Sequence, residues 1–172
     1  NINNNNNNNK SDNNNNNNGK DGDNNKKAKN LMENILRKRI VWWPEEYNTA
    51  FQYTTENDET WIHYDPTNWA AVLYLTPDAP LDSGTAIYMH NETKIYMLDR
   101  NNPATDLNEH GRDLSQWTPI VQVANIFNRL IIYRGLYYHR SMRPGFGQNQ
   151  FNGRLFQTFF FIFFLILSTN IK

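Results

Sequence analysis

Short bursts of apolar residues, each closed by polar or turn-forming ones, run along most of this chain. Phe51-Gln-Tyr-Thr54 and Thr60-Trp-Ile-His63 flank the polar turn Glu56-Asn-Asp-Glu59, a pattern that predicts a hairpin. Residues 69–75 form an apolar run stopped by Thr76-Pro77-Asp78. Residues 85–90 follow the turn Asp82-Ser83-Gly84, and further strands are expected over 120–124, 128–138 and 154 to about 163. Ahead of them, residues 29–40 predict one short helix with Leu31, Ile35 and Leu36 on one side. Trp42-Trp43-Pro44 ends it, because Pro44 biases Trp43 away from helical angles. Residues 92–115 read mostly as loop, broken most clearly at Asn101-Asn102-Pro103. Short strands with almost no helix predict an all-β barrel or sandwich.

Composition divides the chain in two. Residues 1–30 hold 17 Asn, five Lys and three Asp, with Ile2 and Ala28 as the only apolar side chains. Such a stretch cannot bury enough apolar surface to offset chain entropy, so a disordered Asn-rich tail is expected there, and one folded domain over 31–172. Of the chain's 17 basic and 17 acidic residues, the folded part keeps 12 and 14, a net of −2. That balance excludes a polybasic nucleic-acid binder. There is no Cys, which excludes disulfides and thiolate metal sites, so any metal must be held by His and carboxylate. No charged-then-apolar signal segment opens the sequence, and the cytoplasm is the default compartment. Residues 159–167 are nine unbroken apolar positions, against the roughly 20 that a membrane-spanning helix needs. The first half of that run reads as a buried strand and residues 165–172 take no assignment; a shallow membrane contact is the minority reading.

The candidate chemistry starts from histidine. His63-Tyr64-Asp65 places an imidazole and a carboxylate two apart at a strand end, so both project from one face while Tyr64 points away. His139 closes the later apolar strand. A barrel that brings that strand end beside His63 puts two His and one Asp on one face of a cation. Three coordination positions stay open, which favours non-haem Fe(II) chemistry. Arg154 comes fifteen residues later, at the mouth of the last apolar strand. A charge entering so hydrophobic a strand must be met, and the two-pronged guanidinium suits a carboxylate. A dicarboxylic co-substrate chelating iron at one end would present its far carboxylate to such an Arg, with Thr158, on the same strand face, adding a hydroxyl. His90 and His110 read as exposed loop or strand-end residues. The long, polar 92–115 segment is the expected substrate lid.

The order His63-x-Asp65, Tyr74-Leu75, Ser83-Gly84-Thr85, His139 and Arg154 before an aromatic strand resembles the iron(II)/2-oxoglutarate-dependent dioxygenases, nearest the prolyl-4-hydroxylase-like group. The runs Trp61-Ile-His-Tyr-Asp-Pro66, Ala70-Ala-Val-Leu-Tyr-Leu-Thr-Pro77, Asn128-Arg-Leu-Ile-Ile-Tyr133 and Gly153-Arg-Leu-Phe-Gln157 are similar to an uncharacterised branch of that superfamily. The similarity spans residues 45–163. It implies a double-stranded β-helix (jelly-roll, cupin-like) fold behind a short N-terminal helix. It implies that His63, Asp65 and His139 bind Fe(II), that Arg154 binds the distal carboxylate of 2-oxoglutarate, and that Tyr74 lies near this co-substrate. The activity implied is hydroxylation of a substrate the sequence does not specify, a protein side chain or a metabolite. The elements ahead of the metal triplet are short or replaced by the Asn tract, so the expected domain is a truncated one. The alternative expectation is a non-catalytic jelly-roll binding module that has lost a complete barrel.

Overall fold

The computed structural model describes residues 18–163. Helix α1 (Asn18–Leu36) is followed by strands β1 (Ile40–Trp42), β2 (Phe51–Thr54), β3 (Trp69–Tyr74), β4 (Thr85–His90), β5 (Trp117–Val123), β6 (Leu130–Arg134), β7 (His139–Ser141) and β8 (Arg154–Phe163). The fold is all-β apart from α1 and a few single turns of 3₁₀ helix. Every strand pairing is antiparallel. One sheet runs in the order β1-β8-β3-β6, with β2 also paired to β8; the other runs β5-β4-β7.

Strand β8 organises the molecule because its two faces do different work. Phe159, Phe161 and Phe163 join Met32, Ile40 and Ala71 in a core beneath α1. The Trp43 ring lies 6.0 Å from Phe159 and 6.3 Å from Phe161 in the same layer. The alternate residues Arg154, Phe156, Thr158 and Phe160 face a cavity on the other side of the sheet. Strands β1 and β2 take opposite ends of one edge of β8, leaving a gap between them. Asn48 fills it. Only 2 % exposed, its Nδ2 donates to the Phe160 carbonyl at 3.0 Å and its Oδ1 accepts from the Phe160 N–H at 2.7 Å. A side-chain amide thus satisfies backbone groups that no strand reaches.

Five sequence expectations need correction. Residues 18–30 are not a disordered tail, since α1 begins at Asn18; residues 1–17 lie outside the described residues. Tertiary contacts override the poor helix propensity of Asn there. Asn25 accepts from Trp43 Nε1 at 3.1 Å and donates to the Glu45 carbonyl at 3.2 Å. The buried side of the helix is Ala28, Met32 and Leu36, whereas Leu31 and Ile35 are exposed. The helix stops at Leu36 rather than Ile40 because Arg37 turns left-handed, with φ 50°.

The expected hairpin does not form: β2 pairs with β8, and Thr60 to His63 makes no strand of its own. The apolar run 128–138 is not one strand. It turns at Gly135 and Leu136, so His139 opens β7 in the second sheet instead of closing β6. Of the run 159–167 expected to make a shallow membrane contact, residues 159–163 belong to β8, with Phe159, Phe161 and Phe163 in the core, and the rest lies outside the described residues. No helix among the described residues is long and apolar enough to cross a membrane.

Candidate metal centre

The His63 segment docks on β7 through a two-way backbone pair. His63 N–H donates to the His139 carbonyl at 3.0 Å, and His139 N–H donates to the His63 carbonyl at 2.8 Å. Residues paired in this way present their side chains on the same face, and the two imidazole centroids lie 4.6 Å apart. Asp65, two residues on, returns to that face and is fixed by its own N–H donating to the Gly135 carbonyl at 2.8 Å. Gly135 permits this approach: a Cβ there would sit 2.3 Å from the Thr67 carbonyl oxygen. One ligating atom each from His63, Asp65 and His139 then falls within 4.8 Å of the other two. The three predicted ligands therefore converge.

The protonation pattern leaves a space for a cation. His63 Nδ1 lies 2.9 Å from the Trp61 carbonyl and His139 Nδ1 lies 2.8 Å from the Tyr137 carbonyl. A carbonyl only accepts, so each Nδ1 carries a proton and Nε2 is the ring nitrogen left to ligate a cation. His139 Nε2 sits 3.4 Å from Asp65 Oδ2. That contact is not a salt bridge, because burial, with His63 adding, pulls the His139 imidazole down to about 3. Burial also pushes the Asp65 carboxyl up to about 6, against the opposing effect of His63. The His139 Nε2 lone pair and an acid facing one another in a buried corner are stabilised by a cation between them.

The cluster opens on a cavity of about 460 Å³ walled by Val72, Tyr133, Phe156 and Phe160. Arg154 lines the same cavity and is 5 % exposed. Its Nε donates to the Ser83 carbonyl at 2.8 Å, its guanidinium lies 4.5 Å from the Phe156 ring centroid, and no acidic side chain among the described residues pairs with it. Burial lowers its proton affinity, with the Tyr74 and Tyr133 hydroxyls opposing. Thr158 shares the cavity and accepts from Gln52 Nε2 at 2.7 Å. Tyr74 is not among the lining residues: it is fully buried, with the Arg154 guanidinium 5.7 Å from its ring centroid and its hydroxyl donating to Thr85 Oγ1 at 2.8 Å.

Nor is the 92–115 segment a lid. None of its residues lines the cavity; Leu107 and Ile95 pack with Trp117 and Tyr138 instead. His90 is buried rather than exposed, within 3.1 Å of Thr93 Oγ1 and 3.2 Å of Gln116 Oε1. The exposed residues Asp58, Glu59 and Trp61 are among those that line the cavity.

Residues 40–161 match the Family of unknown function (DUF6445). The chain belongs to that family. No curated protein and no solved structure matches it. The matched region of this DUF6445 chain contains all three cluster residues, Arg154 and Thr158.

The residues present fit a metal ion. Two imidazoles and one carboxylate are suitable donors for it, and a buried guanidinium with no acidic partner among the described residues suits an anion. The Ser141 Oγ, on the cavity side of β7 two residues after His139, is buried without a hydrogen-bond partner. The sequence reading missed Ser141, Phe156 and Phe160, although they share strand parity with His139 or Arg154. It also missed Gln52 and Tyr133, for which no local signal existed, because their faces depend on pairings with distant strands.

Proposed function

We propose that this DUF6445 member is a non-haem Fe(II)- and 2-oxoglutarate-dependent oxygenase on a double-stranded β-helix (jelly-roll) scaffold. The observation carrying this reading is the half-buried His63–Asp65–His139 cluster and, in the same cavity, a buried Arg154 with no acidic partner among the described residues. The strand orders β1-β8-β3-β6 and β5-β4-β7, with His63 bridging onto β7, support the jelly-roll part. Fe(II) and 2-oxoglutarate, when bound, supply the chemistry in which O₂ oxidises the 2-oxoacid to succinate and CO₂ and places its other oxygen atom into a substrate C–H bond.

The chain's own residues bind, orient and exclude water. His63, Asp65 and His139 hold the cation from one side only. Trp61 and Tyr137 fix the imidazole orientations through their carbonyls. Arg154 sets the direction of the dicarboxylate, its own position fixed by the Ser83 carbonyl. Val72, Phe156 and Phe160 give the space between them an apolar wall, which strengthens the charge interactions beside it.

Anaerobic addition of Fe(II) and 2-oxoglutarate together is expected to give a weak visible charge-transfer band that neither gives alone, and that His139→Ala abolishes. A folded, Fe(II)-loaded protein without that band is not this oxygenase and is better read as a binding module.

A further inference from the structure

A second buried arginine lines the cavity of the metal cluster. Arg140 is 5 % exposed, and no acidic side chain among the described residues pairs with it. Strand β7 sets its path. The N–H and carbonyl of His139 face His63, so by alternation the Ser141 carbonyl points to the same edge of the strand. Arg140 Nε donates to that Ser141 carbonyl at 2.6 Å, and Nη2 donates to the Met142 carbonyl at 3.4 Å. Strand parity directs Arg140 away from the His139 ring, but these bonds hook its side chain round the strand edge to the cavity. The adjacent Ser141 hydroxyl lines the same cavity without a hydrogen-bond partner.

The acids of the cavity are committed elsewhere. Asp58 accepts from the Thr55 N–H at 2.6 Å and from the Thr55 hydroxyl at 2.8 Å, and Glu59 pairs with Arg112 at 3.1 Å. Asp65 belongs to the metal cluster. On the oxygenase reading, on which this inference rests, a divalent cation and Arg154 are balanced by Asp65 and a dianionic co-substrate. Arg140 is left over as an unmatched buried charge, which is costly until an anion meets it.

We propose that Arg140 is the receptor for a carboxylate carried by the substrate, which is therefore a small organic acid. Backbone carbonyls hold Nε and Nη2 and fix the plane of the fork. Nη1, which makes no hydrogen bond among the described residues, is left for the ligand. A cavity of about 460 Å³, shared with the co-substrate, has room for a small acid.

The test loads the full chain with Mn(II) and saturating 2-oxoglutarate, so that Arg154 is already engaged. Trifluoroacetate is then titrated in and followed by fluorine NMR, with the neutral trifluoroacetamide as control; broadening by Mn(II) reports binding inside the cavity. The acid is expected to broaden at concentrations where the amide does not. Arg140→Gln is expected to weaken that binding about 10-fold or more, with Mn(II) and 2-oxoglutarate affinities unchanged, and Arg140→Lys to fall between. Equal broadening by acid and amide in the natural protein overturns the inference, whatever the variants do. So does trifluoroacetate binding that Arg140→Gln leaves intact. A parallel loss of 2-oxoglutarate affinity in Arg140→Gln also overturns it, because Arg140 would then be holding the co-substrate. Each of these results leaves the oxygenase reading standing. Failure of the natural, Mn(II)-loaded protein to bind 2-oxoglutarate at all overturns both together.

Discussion

Asp65→Asn is expected to abolish tight metal binding while making the metal-free protein more stable. In the metal-free protein the Asp65 carboxylate is buried against the lone pair of His139 Nε2 at 3.4 Å, and its carboxyl is pushed from 3.8 up to about 6. The folded protein thus holds this proton more tightly than the unfolded chain does. Ionisation costs stability: the penalty is absent below pH 3.8 and complete above about 6. At pH 8 it is on the order of 2 kcal/mol. An asparagine removes the charge, and its Nδ2 can donate to the same His139 lone pair. His139 acts in the opposite sense: depressed to about 3, it favours the fold above 6.5 and withdraws that as pH falls. The comparison therefore belongs at pH 8, where His139 is neutral in both states. Metal-free Asp65→Asn should melt about 4–8 °C higher than the natural protein. Divalent metal should raise the melting temperature of the natural protein alone, and metal affinity should fall at least about 100-fold in the variant, since even an outer-shell partner costs 10–100-fold. A variant that melts lower and still binds metal would show that Asp65 is a structural acid.

Arg154→Met is expected to leave metal binding intact and to weaken 2-oxoglutarate binding by about 100-fold or more. Methionine keeps much of the volume between Phe156 and Tyr74, so the core around the site should hold. It removes a buried guanidinium that has no acidic partner among the described residues, so the ligand-free fold gains or loses little. The ligand loses its only charged anchor at the far end, worth about 2–5 kcal/mol for a desolvated pair. Arg154→Lys should fall between the two, since an ammonium supplies the charge without the fork. Titration of 2-oxoglutarate at saturating metal separates these outcomes. Unchanged affinity in Arg154→Met would remove Arg154 from the site.

Strands β3, β4 and β8 were legible in the sequence because each is a run of apolar residues stopped by turn chemistry close by in the chain. Thr85–His90 even keeps its expected bounds. The failures share one cause. Phe51-Gln-Tyr-Thr54 has a plausible local partner across a polar turn, yet its real partner is Arg154 to Gln157, about a hundred residues away. Leu31 and Ile35 are more apolar than Ala28, but the packing of Trp43 and the β8 phenylalanines decides which side of α1 is buried. The turn at Gly135 and Leu136 was hidden inside an apolar run. The meeting of His63, Asp65 and His139 beside Arg154 was legible because period-two parity and residue type single those residues out. Tyr74 keeps its ring 5.7 Å from the Arg154 guanidinium, but its hydroxyl is taken by Thr85 across the two sheets. That contact leaves no trace in local sequence.

Anomalous scattering from crystals of the full chain grown anaerobically with Fe(II) tests the central claim most directly. The account predicts one strong peak about 2 Å from His63 Nε2, His139 Nε2 and an Asp65 carboxylate oxygen, with its open side toward Arg154. A fully loaded crystal whose peak lies elsewhere, or in which His139 turns its Nε2 away from the ion, would contradict it.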